Sequence, residues 1–295
     1  MFIARQWRRG DESRNEIMPK IGKASTPKLA LPIFAPIVSD KGGIGKSLLA
    51  KAMAEWLRLR NLPCGVVEVD TTGESLKGLT DDVVSIAIDQ KAARRDPTSV
   101  WRALTPLYLT IERISQARGM VIVEFGANEA ARGALWAGMT DLQEELDQLG
   151  TSTLIVTPYT CQAEAMRRGV QSASAFMEAL PRARLMLVEN ERDGRICDLH
   201  PSSEAAAVGR GLIGPLAAKA ATIQMPAIEA DSWAPFEAAN IRLMDAVMMP
   251  VREVMAITGL PLPEAKIVKG DVAAWCATMF ATFDQFIDAE GNQNG

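Results

Sequence analysis

The chain has 295 residues, 48% apolar and 23% charged, a composition that suits a globular protein with a full core. Its formal net charge of −4 excludes a protein coated along its length in nucleic acid, though not one with a local basic patch. Cys64, Cys161, Cys197 and Cys276 lie far apart with no C-x-x-C, so neither a zinc site nor a disulfide framework is expected and a reducing cytoplasm is the natural setting. The single histidine, His200, leaves no basis for His-based catalysis or metal ligation.

Residues 1–30 read as a flexible tail and linker: the opening M-F-I-A-R-Q-W-R-R-G lacks the apolar core of a signal peptide, and Met18 is a second candidate start. Pro19 to Pro36 is proline-punctuated and leads into the first strand, Leu31 to Val38. A helical pattern follows over Leu48 to Arg60, then a strand over Cys64 to Val69 that ends at Asp70. Trp101 to Ala117 reads as a helix, Met120 to Phe125 as a buried strand, and Glu129 to Leu149 as a second helix. Strand Thr153 to Thr157, helix Ala163 to Leu180, strand Arg184 to Val188 and strand Thr222 to Met225 complete the pattern. Continuous apolar strands separated by helices predict an α/β fold, a mostly parallel sheet with helices on both faces, over residues 31–250. Residues 251–295 read as a C-terminal helical extension, apolar over Asp271 to Ile287, that ends in a disordered tail. No run of about eighteen apolar residues is present, so no membrane-spanning helix is expected.

Between strand and helix stands S-D-K-G-G-I-G-K-S, Ser39 to Ser47. Backbone N–H groups of such a loop converge on an anion, and the helix behind adds its dipole. Gly42, Gly43 and Gly45 allow the backbone, with Ile44 and Leu48, to approach a pyrophosphate. Lys46 can reach the β- and γ-phosphates, and the Ser47 hydroxyl can ligate Mg²⁺. The ordinary P-loop has glycine where this chain has Asp40, and a second lysine, Lys41, stands at the loop's mouth. Polar residues then fall at the carboxyl ends of the later strands, where ligands of parallel sheets bind: Asp70, Glu124, Asn190 and Pro226.

The string x-K-G-G-x-G-K-S resembles the deviant Walker A motif of the ParA/MinD family of dimeric ATPases, and the likeness in motif order runs from about Ile33 to Val247. The resemblance implies a P-loop NTPase fold, binding of ATP with Mg²⁺, and hydrolysis. It gives Lys41 a role in trans: reaching the partner's nucleotide across an ATP-dependent homodimer, as an arginine finger does. It places Asp70 as the carboxylate that positions the attacking water and the metal shell, with Glu68 in the position before it. Glu124 takes the place of the aspartate that holds Mg²⁺ with Ser47, and Gly126 that of a γ-phosphate sensor. Where the family continues P-Q-x-N after Asp70, this chain has T-T-G-E, with Thr71 or Thr72 available to supply a hydroxyl.

Asn190 resembles the family's adenine-reading asparagine, and Pro226, in T-I-Q-M-P-A-I, its purine-side proline. The string N-E-R-D also looks like a damaged N-K-x-D guanine motif, with Glu191 in the lysine position and Asp193 in register, which favours ATP. Conjugation-associated members such as TraL look closest, on Gly126–Ala127 and I-Q-x-P-A. An iron–sulfur relative is set aside because no cysteine pair is suitably placed, and a MinD-like membrane helix because the chain ends in F-D-Q-F-I-D-A-E-G-N-Q-N-G, which is acidic. Non-specific DNA binding stays open, resting on Arg94–Arg95, Arg167–Arg168 and the pair Arg182 and Arg184.

Three functions remain from sequence alone. The first is a slow, nucleotide-switched dimeric ATPase in plasmid transfer, partition or positioning, stimulated by a protein partner. The second is an ATP-dependent ligase or synthetase using the same loop. The third is a degenerate nucleotide-binding scaffold.

Overall fold

The computed structural model of the chain describes residues 28–70, 76, 83–96, 98–228 and 232–288. The expected N-terminal tail up to residue 27, the T-T-G-E segment with Thr71 and Thr72, and the expected C-terminal tail from residue 289 lie outside the described residues.

Nine strands are present among the described residues: β1 (Leu29–Ala30), β2 (Ile33–Ile37), β3 (Cys64–Asp70), β4 (Val83–Ala87), β5 (Met120–Phe125), β6 (Ser152–Tyr159), β7 (Arg184–Asn190), β8 (Ala221–Met225) and β9 (Ile287–Asp288). Seven form one sheet in the order β4-β3-β5-β2-β6-β7-β8, and every pairing in it is parallel. This is the expected α/β fold, a parallel sheet with helices on both faces, and β2, the strand that feeds the glycine loop, lies at the sheet's centre.

The inner strands β2, β3, β5, β6 and β7 are mostly apolar because both faces are covered, while the edge strands β4 and β8 are partly exposed. Ile33, Ala35 and Ile37 of β2 join one core, under helix α1 (Lys46–Leu59) and the C-terminal helices. Phe34 and Val38 join the other, under the helices between β4 and β8. Side chains alternate along a strand, so Glu68 and Asp70, like Glu124, project toward the α1 face.

Two expected helices are each split. The segment from Trp101 to Ala117 contains the end of helix Thr98–Ala103 and the helix Thr105–Gln116, whose first turn carries Pro106. The segment from Glu129 to Leu149 divides into Ala130–Met139 and Leu142–Gln148, because Asp141 takes a left-handed conformation with φ 48°. Beyond the expected strands, β4 adds an edge.

The C-terminal region shares the core that lies under α1. Helix Leu262–Phe286 lies against α1, with Trp56 and Phe283 edge-to-face at 6.0 Å. Asp284 accepts hydrogen bonds from Trp56 Nε1 at 3.0 Å and from the Arg60 guanidinium at 2.6 and 2.7 Å, and Arg60 also stacks over the Trp56 ring. The short pair β1 with β9 ties the start of the described chain to its end.

Glu55, in the middle of α1, is 1% exposed, and neither carboxylate oxygen receives a hydrogen bond; the Arg58 guanidinium stands off at 3.7 Å. Burial raises the affinity of this carboxyl for its proton, against the opposing pull of Arg58 and Arg242. The folded chain therefore favours protonated Glu55, and that stability is lost as pH rises from the ordinary carboxylate range through the raised pKa. Glu55→Gln is expected to match the parent near pH 4 and to exceed it in thermal stability by pH 8, measured as Tm against pH. A constant Tm difference across that range would show that Glu55 does not titrate on folding.

Candidate functional site

The chain leaves β2 at the carboxyl end of the sheet and turns back into α1 through residues 38–45. Val38 N–H donates to Val156 of β6 at 2.9 Å, so the loop starts from a fixed point. Gly43 and Gly45 have φ of +71° and +91°, a region that costs an L-residue about 1–2 kcal/mol. A Cβ on Gly45 would also fall 2.6 Å from Asn190 Nδ2 and 2.7 Å from Met225 Cε, so the loop is seated against the ends of β7 and β8. A Cβ on Gly42 meets nothing within 4 Å, which leaves the outer side of the loop open to a ligand.

Lys46 is 6% exposed, and its ammonium curls back into the loop, donating to the carbonyls of Ser39 at 3.0 Å and Lys41 at 2.9 Å. Two of its three N–H groups are thus spent on the loop's own backbone. Burial lowers its proton affinity, while the charges of Glu124, Asp40 and Asp70 act the other way.

Ser47, the next residue, donates its hydroxyl to Glu124 Oε1 at 2.6 Å. Glu124 ends a buried strand and stands directly opposite Glu68 in the β3–β5 register. Asp70, two residues along β3, packs on Gly126: a Cβ at Gly126 would lie 2.6 Å from Asp70 Cγ, and Gly126 N–H donates to Val69 at 2.8 Å. Lys46, Ser47, Glu124 and Asp70 therefore converge on one side of the loop, toward β5 and β3.

On the other side, Asn190 is 4% exposed, and its amide is shared: Nδ2 donates to Ile44 at 2.9 Å and Oδ1 accepts from Arg192 N–H at 3.0 Å. Pro226 follows β8, its carbonyl held by Trp275 Nε1 of the C-terminal helix at 2.9 Å. Leu48 is half-buried in the first turn of α1. Lys41 is also half-buried, and its ammonium lies near enough to Glu164 to help lower that carboxyl's proton affinity, behind the stronger effects of Arg168 and Arg167.

Two residues without an expected role act here. Asp40, the departure from the glycine pattern, accepts from Ala130 N–H at 3.1 Å and so caps the helix that follows Gly126. Its own N–H donates to Ser172 at 3.1 Å. A carboxylate where a P-loop glycine belongs is the signal that could have found it. The second is Arg192, whose guanidinium donates to the Gly43 carbonyl.

The donor set suits half of a magnesium shell. Among the described residues no group of three or more His, Cys, Asp or Glu could hold a metal by itself. Mg²⁺ commonly takes one or two protein oxygens and completes its octahedron with phosphate oxygens and water. A hydroxyl hydrogen-bonded to a carboxylate beside a phosphate loop fits that requirement.

The basic spots are largely neutralised. Arg167 pairs with Glu204 at 2.5 Å, Arg168 with Glu164 at 2.8 Å and Arg182 with Asp147 at 2.7 Å, while Arg94 and Arg95 are exposed on a short helix. No helix among the described residues is long and apolar enough to cross a membrane.

No protein-family model and no curated protein matches the chain. Among solved structures it is similar to the cell division protein FtsY of Thermotoga maritima, at 16% identity and a TM-score of 0.40, over 74% of this chain and 69% of that one. A putative plasmid partition protein of Borrelia burgdorferi bound to AMPPNP is similar at 12% identity and a TM-score of 0.45, over 71% and 90% of the two chains. A Cyanothece McdA–ATP complex is similar at 12% identity and a TM-score of 0.42, over 84% and 98%.

Proposed function

We propose that this chain is a magnesium-dependent ATPase whose bound nucleotide controls the pairing of two copies, a slow switch that serves plasmid partition or transfer, or the positioning of intracellular cargo. The observation that carries the reading is the Ser47–Glu124 hydrogen bond, made immediately beside the Lys46 ammonium at the end of the glycine loop. It joins the loop's hydroxyl to a strand-end carboxylate across 77 residues of sequence, the pairing that metal-assisted phosphoryl transfer uses.

Each residue then has a task. The backbone N–H groups of Gly42 to Gly45 receive the phosphates on the side that Gly42 leaves open, and Lys46 exchanges its bonds to Ser39 and Lys41 for phosphate oxygens. Magnesium, when bound with the nucleotide, offsets charge on the β- and γ-phosphates; Ser47, Glu124 and Asp70 are the residues that would hold it. Asp70 also orients water for in-line attack. Asn190 and Pro226 stand on the nucleoside side, where Asn190 reads a base by exchanging its bond to Ile44 or Arg192. Glu191 in place of a lysine supports adenine over guanine. Lys41 serves the partner's nucleotide, a protein partner stimulates hydrolysis, and the cytoplasm is the compartment.

Static light scattering tests the switch. The chain is expected to be dimeric with ATP or a non-hydrolysable analogue and monomeric with ADP or no nucleotide. Lys41→Ala is expected to bind ATP within about threefold of the parent and to remain monomeric in every state. A dimer populated equally in all nucleotide states would refute the switch.

A further inference from the structure

The charged group of Arg192 reaches from the β7 side of the sheet onto the glycine loop. Its guanidinium donates to the Gly43 carbonyl and forks onto Asp193, Nε to Oδ1 at 3.1 Å and one NH₂ to Oδ2 at 3.2 Å. Asp193 is in turn held by Gln162 Nε2 at 2.8 Å, and its backbone carbonyl accepts from the Cys161 thiol at 3.1 Å. These bonds lie along the edge of the guanidinium plane, because all five of its N–H groups point outward in that plane. The side chain is still 54% exposed, so a ligand can reach it from solvent.

The strand order says what meets that face. With order β4-β3-β5-β2-β6-β7-β8, the groups suited to the reacting phosphate, Asp70 on β3 and Glu124 on β5, lie to one side of the loop strand β2. Asn190 ends β7 and Pro226 follows β8, both on the other side. A triphosphate chain threaded through the loop with its terminal phosphate toward Glu124 must direct its nucleoside toward β7 and β8. That path leads over Gly43 and onto Arg192.

We propose that Arg192 is a purine platform: its guanidinium plane, fixed by Gly43 and Asp193, stacks on the base of the bound nucleotide. The platform rests on the nucleotide-binding reading given above. It supplies what Glu191 does not, a flat cation over the base, from one residue further along the chain. Stacking is indifferent to the edge of the purine, so Arg192 strengthens binding of adenine and guanine nucleotides alike and leaves discrimination to Asn190 and its neighbours.

Calorimetric titration of the full chain with Mg²⁺ and either ATP, GTP or inorganic tripolyphosphate tests this. Arg192→Ala is expected to weaken ATP and GTP about tenfold and tripolyphosphate less than twofold. Arg192→Lys, which keeps the charge and loses the plane, is expected to resemble Arg192→Ala; unchanged circular dichroism and Tm keep a folding defect apart from a binding one. Equal losses for ATP and tripolyphosphate would make Arg192 a phosphate or loop contact and overturn the platform while leaving nucleotide binding intact. Full rescue by lysine would overturn it as well. A parent chain that binds tripolyphosphate but gains nothing from the nucleoside would also remove it, and a parent that binds none of the three would remove the nucleotide reading itself.

Discussion

Lys46→Ala is expected to reduce ATP affinity by about 100-fold or more, the largest effect of any single substitution in the site. The lysine is already buried and already inside the loop, so it loses little freedom when phosphate replaces the Ser39 and Lys41 carbonyls as its acceptor. Phosphate also adds a charge-assisted bond to an ammonium whose proton affinity burial holds down, despite the opposing charges of Glu124, Asp40 and Asp70. Removing it leaves Ser39 and Lys41 carbonyls without their donor and the phosphates without their internal cation. Isothermal titration with ATP and Mg²⁺ measures the loss. Affinities within threefold of one another would mean that the loop does not bind phosphate.

Asp70→Ala is expected to lower phosphate release at least about 100-fold while ATP affinity stays within a few-fold, so that the ATP-bound state accumulates. The expectation follows from position. Asp70 stands at the carboxyl end of β3, against the Gly126 backbone, and projects to the same face as Glu124. It lies in the same cluster as Lys46, Ser47 and Glu124 but packs on Gly126, outside the loop itself, so its loss is expected to fall on the attack of water rather than on the phosphates' seat. Single-turnover phosphate release and ATP titration, made on the same preparation, separate the two effects. A parallel loss of binding and turnover would make Asp70 a ground-state ligand instead.

Much of this was legible in the chain, and the reasons are physical. β2, β3, β5, β6 and β7 are visible because strands buried on both faces are written as largely apolar runs, and the edge strand β8 because it stands just before Pro226. The glycine loop is visible because positive φ at Gly43 and Gly45 requires residues without a Cβ. The helix break at Asp141 was not, because apolar periodicity continues through a residue that merely changes its own φ. Nor was the partnership of the C-terminal helix with α1, since an apolar stripe does not name the surface that covers it. Within the site, Asp40 was visible as an anomaly, but its contact, the Ala130 N–H, lies 90 residues away. Arg192 was hidden by register: matched against N-K-x-D, the string N-E-R-D shows a lost lysine at Glu191, whereas the fold brings the next residue onto the loop.

The measurement that bears most directly on the proposed switch is steady-state phosphate release by the isolated chain at saturating Mg²⁺-ATP, across a range of protein concentrations. Turnover is expected to lie well below about 1 per second, in the range of an unstimulated GTPase rather than a kinase. The specific rate is also expected to rise with protein concentration if Lys41 serves the site of a second copy. Turnover of tens per second, or a specific rate independent of concentration, would contradict the proposed switch.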